Sequence, residues 1–418
     1  MSSRARGPWV GAPAHQTLVR EHNLALVLSR IVEANLPLTR AQLAQSTGLT
    51  RATVSDLVES LIAMHLVTEL APRPGERAGR PGVPLAPAGR TVVGVGAEVA
   101  VDHLGVTVVD LTGMSVTQRI VEGDFRLSRP DRVLARLGRL LAGVVAEIEG
   151  QGMRPPGVCL AVPGLIEHAT SILRFAPNLG WTDVAVIERL AQASGLTGLA
   201  WTAGNDADLA ARAECRARAR RDGVPVTDQN FVYIGGFVGI GGAVVRHGAL
   251  GSGIHGCGGE IGHSPVVDGG PDCSCGGTGC LEQFAGLPAL LRNAGLPPTD
   301  SVQALVDLAH SDAPGAARGR QALAEGAGAL GRAASTMVNI VDVETVVLGG
   351  FYTSLMDSVG PRVQSELDRR VLGARWKPVQ VEPALVVDLP TLHGAAVSVL
   401  EGVLATPSAW EAGKVMIP

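Results

Sequence analysis

From Thr91 onward the chain repeats one pattern: an apolar stretch of strand length, a glycine corner, then an amphipathic helix. "TVVGVGAEVAVDHLGVTVVDLTG" supplies two strands and "VLARLGRLLAGVVAEI" a helix. "GVCLAVPGLI" is a buried strand that stops at Pro-Gly. "LAWTAGNDADLAARAECRARA" runs a strand into Asn205-Asp206 and on into a helix. "NFVYIGGFVGIGGAVVRHGAL" is a strand pair around a glycine-rich turn, "STMVNIVDVETVVLGGFY" a helix and a strand, and "LHGAAVSVLEGVL" a closing helix. Strands that alternate with helices specify an α/β fold. With 418 residues the chain exceeds one simple core, so two lobes are expected, with ligands at the carboxyl ends of the strands. The 54 glycines and 3% aromatic content suit tight corners.

The first ninety residues follow a different rule. Leu24, Val27, Leu28, Ile31 and Val32 recur at helical spacing. Thr39 and Gln42 form a capping box, Gly48 supplies a turn, and Thr50 caps a second helix. On that helix Val54, Leu57, Val58, Leu61 and Ile62 make one apolar face. Two short helices joined by a glycine-containing turn are the pattern of a helix-turn-helix. "LVTELAPRPGERAGRPGVPLAP" then reads as a wing: a strand, a basic tip with Arg73, Arg77 and Arg80, and a return. Arg40, Arg51, Thr53, Ser55, Arg77 and Arg80 are the candidate DNA contacts. Charge agrees: residues 1–90 hold ten arginines against six carboxylates, a balance of +4, and the remainder carries −8. A solvated basic face and a small packing bundle are the plainer alternatives.

"GHSPVVDGGPDCSCGGTGCLEQF" gathers three of the six cysteines behind a histidine. Six cysteines in a chain this long are not a disulfide framework. His263, Cys273, Cys275 and Cys280 offer one imidazole and three thiolates, a closed tetrahedral set of the kind structural Zn²⁺ uses. The C-x-C spacing is shorter than the common C-x-x-C, so a loop of reduced cysteines stays open as an alternative. Cys159, Cys215 and Cys257 lie outside the knot and are read as residues without a role.

"GNDADLAARAE", "GIGGAVVRHGALGSGIHG", "GGEIGHSPVVDGGPDCSCGGTGCLE" and "VVLGG", in that order, resemble the motifs of the ROK family of repressors and sugar kinases. The resemblance implies a hexokinase/actin-like two-lobed fold with sugar in the cleft, and it matches all four knot ligands. It implies sugar-binding roles for Gly164, Asn205, Asp206, Glu260, His263 and Glu282, with Asp206 at the place of a kinase's catalytic base. Asn178 is a further candidate for the cleft wall. A zinc that fixes His263 and Cys280 would also fix Glu260 and Glu282, three and two residues away.

Family kinases hold phosphates on an Asp-x-Gly-Gly-Thr turn. Here Gly96 falls where the Asp is expected, Glu98 and Val99 replace glycines, and Ala100 replaces Thr. Phe237 and Val238 stand in the second phosphate turn, while Gly349 and Gly350 persist. Phosphoryl transfer depends on positioning and charge neutralisation, so no enzyme activity is expected. The organisation expected is a flexible tail (1–17), a winged helix-turn-helix that folds by itself (18–88), lobe 1 (89–205, completed by a helix near 390–405) and lobe 2 (206–389, with the zinc loop 263–280). The function expected is a sugar-responsive repressor that binds operator DNA as a homodimer or homotetramer. An ATP-dependent sugar kinase with an accessory DNA-binding domain is the alternative, and a kinase-like protein scaffold is a third. No apolar run suits a bilayer, and the first residues lack a signal-peptide core, so a cytoplasmic protein is expected.

Overall fold

The computed structural model describes residues 16–71, 82–167 and 169–411. Local signals place its first elements. Helix α1 (Gln16–Glu33) buries Leu24, Val27, Leu28 and Ile31. After the short strand β1 (Leu38–Thr39) comes α2 (Arg40–Thr47). The Thr39 hydroxyl accepts from the Gln42 N–H, and the Gln42 side chain accepts from the Thr39 N–H at 2.8 Å. Gly48, at φ +73°, ends α2 in the left-handed conformation. Thr50 caps α3 (Arg51–Ala63), which buries Val54, Leu57, Val58 and Leu61. Strands β2 (Val67–Glu69) and β3 (Pro84–Pro87) pair antiparallel, and β1 joins β3. The expected wing tip with Arg73, Arg77 and Arg80 falls outside the described residues, as do residues 1–15 of the tail.

Two five-stranded sheets follow, built on one plan. In the first, β4 (Val93–Val99), β5 (His103–Asp110) and β6 (Ser115–Glu122) form an antiparallel meander. Helix α4 (Pro130–Gly150) crosses to β7 (Gly157–Val162), parallel to β4. A side sheet of β8 (Leu165–Glu167), β9 (Ile172–Ala176) and β10 (Trp181–Val184) intervenes, then α5 (Val186–Ser194) and β11 (Ala200–Asn205), parallel to β7. The order is β11-β7-β4-β5-β6.

Helix α6 (Asp206–Asp222) leads to the second sheet. There β12 (Phe231–Gly236), β13 (Ile240–Arg246) and β14 (Ala249–Leu250) make the meander. A long loop and helices α7 (Glu282–Ala285), α8 (Leu287–Ala294), α9 (Val302–His310) and α10 (Ala316–Val341) precede β15 (Thr345–Gly350). Helix α11 (Met356–Arg370) crosses to β16 (Gln380–Pro383). The order β14-β13-β12-β15-β16 repeats that of the first sheet, with the same directions. Helices α12 (Pro390–Ala405) and α13 (Pro407–Glu411) come last.

Helices α6 and α12 join the lobes. Ala210, Ala211 and Cys215 of α6 pack on β12 and β13, while Leu209 packs with Ala395 and Val399 of α12. Helix α12 lies on the first sheet because β4 carries glycine beneath it. A Cβ on Gly94 would sit 2.0 Å from the Ala396 carbonyl oxygen, and one on Gly96 2.4 Å from that of Leu392. At the far end of the crossing, Glu401 accepts from Arg212 and from the Arg216 Nε at 2.9 Å.

The segment 18–88, expected to fold by itself, shares its core with the rest of the chain. Leu24, Leu28, Val58 and Leu61 share one core with Val109 and Leu111 of β5 and its turn, and with Leu400, Val403 and Leu404 of α12. Trp410 donates to the Met64 carbonyl oxygen at 3.3 Å, and Ser408 binds Glu21. The Thr91 hydroxyl donates to the His65 carbonyl oxygen at 2.8 Å. Among the described residues, β5, its turn and α12 complete one side of the three-helix unit's core.

A Cβ on Gly394 would lie 1.8 Å from the Leu209 carbonyl oxygen. Gly394→Val is therefore expected to lower stability by more than about 3 kcal/mol. Gly143→Ala, on the exposed face of α4 with nothing within 4 Å, should raise it by about 0.5–1 kcal/mol. Urea unfolding of the two variants checks both.

Candidate functional site

The carboxyl ends of β4, β7, β11, β12 and β15 face one cleft of about 1030 Å³ between the lobes. Its walls bring together Gly164, Asn205, Asp206, Glu260, His263 and Glu282, all six residues expected there, and Asn178 as well. Their local reasons differ. Asn205 is wired into the scaffold. Its Oδ1 accepts from the Ala207 and Asp208 N–H groups as the N-cap of α6, and its Nδ2 donates to the Gly164 carbonyl oxygen at 3.0 Å. Asp206 therefore is not the cap, though its Oδ1 also accepts from the Ala207 N–H at 2.9 Å. Gly164 was expected to take a sugar-binding role. Its φ of +132° and the Phe175 carbonyl oxygen, 2.4 Å from any added Cβ, show that it makes room for β9. The glycine still lines the cleft.

The cleft concentrates carboxylates. Burial pushes Asp206 up to about 7, and the neighbouring Glu98, Glu260 and Asp208 push in the same direction against its one N–H donor. Glu260 is also raised, first by burial, with His263 opposing and Asp208 and Glu282 reinforcing. Glu282 opens α7, and its Oε2 accepts from the Ile240 N–H at 3.1 Å, which ties the knot to the β12–β13 turn.

His263, Cys273, Cys275 and Cys280 bring their ligand atoms within 4.8 Å of one another. The Cys273 Sγ lies 3.7 Å from the His263 Nδ1, and the Cys275 Sγ 3.7 Å from the Cys280 Sγ. A tetrahedral ion with bonds of about 2.0–2.3 Å needs ligand spacings of roughly this size. The backbone holds the set. Val266 N–H donates to Gly279, Cys273 N–H to Gly277, and Leu281 N–H to Ser264. Gly279 is required where the chain doubles back, because an added Cβ would sit 1.8 Å from the Val267 carbonyl oxygen. The four residues fit a metal ion.

On the phosphate side the cleft is altered. Gly96, where the family's kinases carry Asp, lies against α12 and leaves no room for a side chain. The rings of Phe237 and Phe351 lie over Gly235 and Gly236, at 2.6 Å from where each Cβ would stand. Sequence reasoning passed over Phe351, because a residue after a glycine pair signals nothing until β12 and β15 are known to be neighbours. It also missed His103 and Asp102, which line the cleft from the β4–β5 turn.

Among the expected DNA contacts, Arg51 is exposed at the start of α3, with Thr53 and Ser55 half-buried behind it. Arg40 is not available as expected. Its guanidinium is bound by Glu59 and Glu69 at 2.6 Å each, so it braces α2 against α3 and β2. Arg77 and Arg80 lie outside the described residues. No helix among the described residues is long and apolar enough to cross a membrane.

The ROK family model matches residues 95–401. The xylose repressor of Bacillus subtilis is 28% identical over 89% of this chain and 93% of its own length. A glucokinase of Halalkalibacterium halodurans is 33% identical over 49% of this chain and 63% of its own. A crystal structure of a ROK family transcriptional regulator, a homologue of the Escherichia coli Mlc protein, superposes with a TM-score of 0.75. It covers 94% of this chain and 98% of its own at 22% identity.

Asp206 ionises near 3.8 in an unfolded chain and near 7 in the folded one. The stability this proton confers is full below pH 3.8 and lost as pH rises through 7. Asp206→Asn should thus stabilise the protein by about 1–2 kcal/mol at pH 8, with the gain vanishing toward pH 4. Thermal melts across that range read it directly.

Proposed function

The chain belongs to the ROK family, and on that premise we propose that it is a sugar-responsive, DNA-binding transcriptional repressor whose two-lobed domain senses sugar without phosphorylating it. The course of α6 and α12 carries the reading. Both helices begin at the cleft and end against the winged helix. The Thr391 hydroxyl, in the first turn of α12, donates to the Asp206 carbonyl oxygen at 3.2 Å. Fourteen residues further on, about 21 Å at 1.5 Å per residue, α6 reaches the turn that follows α1. There the Asn35 Nδ2 donates to the Arg220 carbonyl oxygen at 3.1 Å, and the charge of Arg216 acts on Glu33. The far end of α12 sits in the core of the DNA-reading unit. A sugar that closes the lobes changes how these helices cross and so how the reading head is seated. It shifts that equilibrium by its differential affinity for the two arrangements.

In this reading residues 18–88 are the reading head, 89–205 with the helix at 390–405 form lobe 1, and 206–389 form lobe 2. Arg51, Thr53 and Ser55 face the major groove, with Arg77 and Arg80 on the wing. Asp206, Glu260, His263 and Glu282 contact the sugar, and Gly164 and Asn205 shape the wall. The His263, Cys273, Cys275, Cys280 set holds structural Zn²⁺, which would keep His263 and the nearby carboxylates in place. The repressor works in the cytoplasm as a homodimer or homotetramer, because paired half-sites need paired heads.

The alternative of a sugar kinase draws on Asp206, whose carboxyl near 7 suits a base, and on the glucokinase likeness. It is weaker because Gly96 cannot be replaced by a metal-holding Asp, and Phe237 stands in the second phosphate turn. A coupled ADP-release assay over a sugar panel separates the two, with turnover lost in Asp206→Asn overturning the repressor-only reading.

DNA from the protein's own upstream region should be retarded in a gel shift, with affinity falling linearly in log–log form as salt rises. Arg51→Ala should cost about tenfold or more. No retardation at low salt would sink the proposal.

Metal analysis should find one zinc per chain. Cys273→Ser should lose the zinc and the thermal shift given by sugar together.

A further inference from the structure

Asp206 and Glu282 account for one end of the cleft. The other end is built by β4 and its turn. Gly94 and Gly96 lie under α12, and Glu98 is the next residue on that face. Helix α12 begins only at Pro390, so at Glu98 the sheet face opens into the cleft. Glu98 is only 6% exposed, and its Oε2 has no hydrogen-bond partner. The His103 Nε2 stands 3.4 Å from that oxygen, also without a hydrogen bond. Asp102 fixes the ring from behind, 2.7 Å from Nδ1. Burial disfavours the imidazolium, but the Asp102 hydrogen bond and the negative charges of Glu98 and Asp102 outweigh it and raise His103 to about 10.

A charged acceptor beside a charged donor, each with unfilled bonding capacity, is what a hydroxyl satisfies. It donates to Glu98 and accepts from His103. A phosphate suits the place badly, since Glu98 would repel it and Asp206 is near enough to feel the charge of Glu98. Register gives the spacing. Glu98 pairs with Ala161 of β7, and Ala161 pairs with Gly204 of β11. Two strand spacings, about 10 Å, separate Glu98 from the Asn205–Asp206 corner, which is the reach of two linked sugar rings. Phe175 and Phe237 line the same cleft and offer flat apolar faces. The volume, about 1030 Å³, lies at the top of the range for drug-sized ligands, far more than one ring fills.

We propose that Glu98 and His103 form a second sugar subsite, and that the effector is a disaccharide or glycoside whose second ring lies where a kinase would hold nucleotide phosphates. The inference rests on reading the Asp206 end as a sugar site.

Isothermal titration of the full-length chain with glucose, maltose, cellobiose, xylose and xylobiose tests it. At least one disaccharide should bind about tenfold more tightly than its monosaccharide. Glu98→Gln and His103→Ala should each remove that margin while monosaccharide affinity stays within about twofold. Glu98→Gln preserves shape, and His103 is partly exposed, so both variants should fold. Monosaccharides bound as tightly as disaccharides would overturn the inference and leave sugar sensing intact. So would variants that weaken both classes equally. If no sugar binds while DNA binding persists, the sensor reading fails and the subsite with it.

Discussion

Where Gly394 of α12 lies against the Leu209 carbonyl of α6, there is no space for a side chain, and the three parts of the molecule take their positions from that contact. Helix α6 carries the second sheet on Ala210, Ala211 and Cys215. Helix α12 carries the first sheet over Gly94 and Gly96. Both reach the N-terminal helical unit at their far ends. Close helix packing of this kind has few stable arrangements, because a well-packed core resists continuous deformation. The Glu401 carboxylate, held by Arg212 and Arg216, then pins the crossing with charge where the side chains are partly buried.

The cleft shows the opposite economy. Its carboxylates crowd together, and Asp206 and Glu260 are held away from their ordinary ionisation by burial and by one another. Such a wall favours partners that bring hydroxyl donors. The half of the cleft that would serve phosphates in a kinase has instead an acidic side chain, aromatic rings and a glycine walled in by α12. Two changes of different chemistry act in one direction there, since charge repels phosphate and rings fill the turn.

Much of this was legible in the sequence because the signals were local. The capping box at Thr39 and Gln42, the Thr50 cap and the Gly48 turn depend on residues within four positions of one another. The clustering of His263, Cys273, Cys275 and Cys280 was equally plain, since the four residues fall within eighteen positions. What the sequence hid was long-range. Arg40 looked like a free cation until β2 brought Glu69 beside it. Gly164 looked like an opening for ligand until β9 filled the space. The core that helices α1–α3 share with α12 rests on residues more than 300 positions apart in the chain, and no periodicity within either segment records that.

That last arrangement bears on how the molecule is made. Glu21 and Ser408 are 387 residues apart in the chain yet bonded to each other. On the ribosome helices α1–α3 emerge before both lobes, and helix α12, which completes their core, emerges after them. Until then their apolar side lacks the partners that α12 supplies, and exposed apolar surface on a nascent chain is prone to aggregation. The N-terminal unit thus gains its final packing only after both lobes have been built.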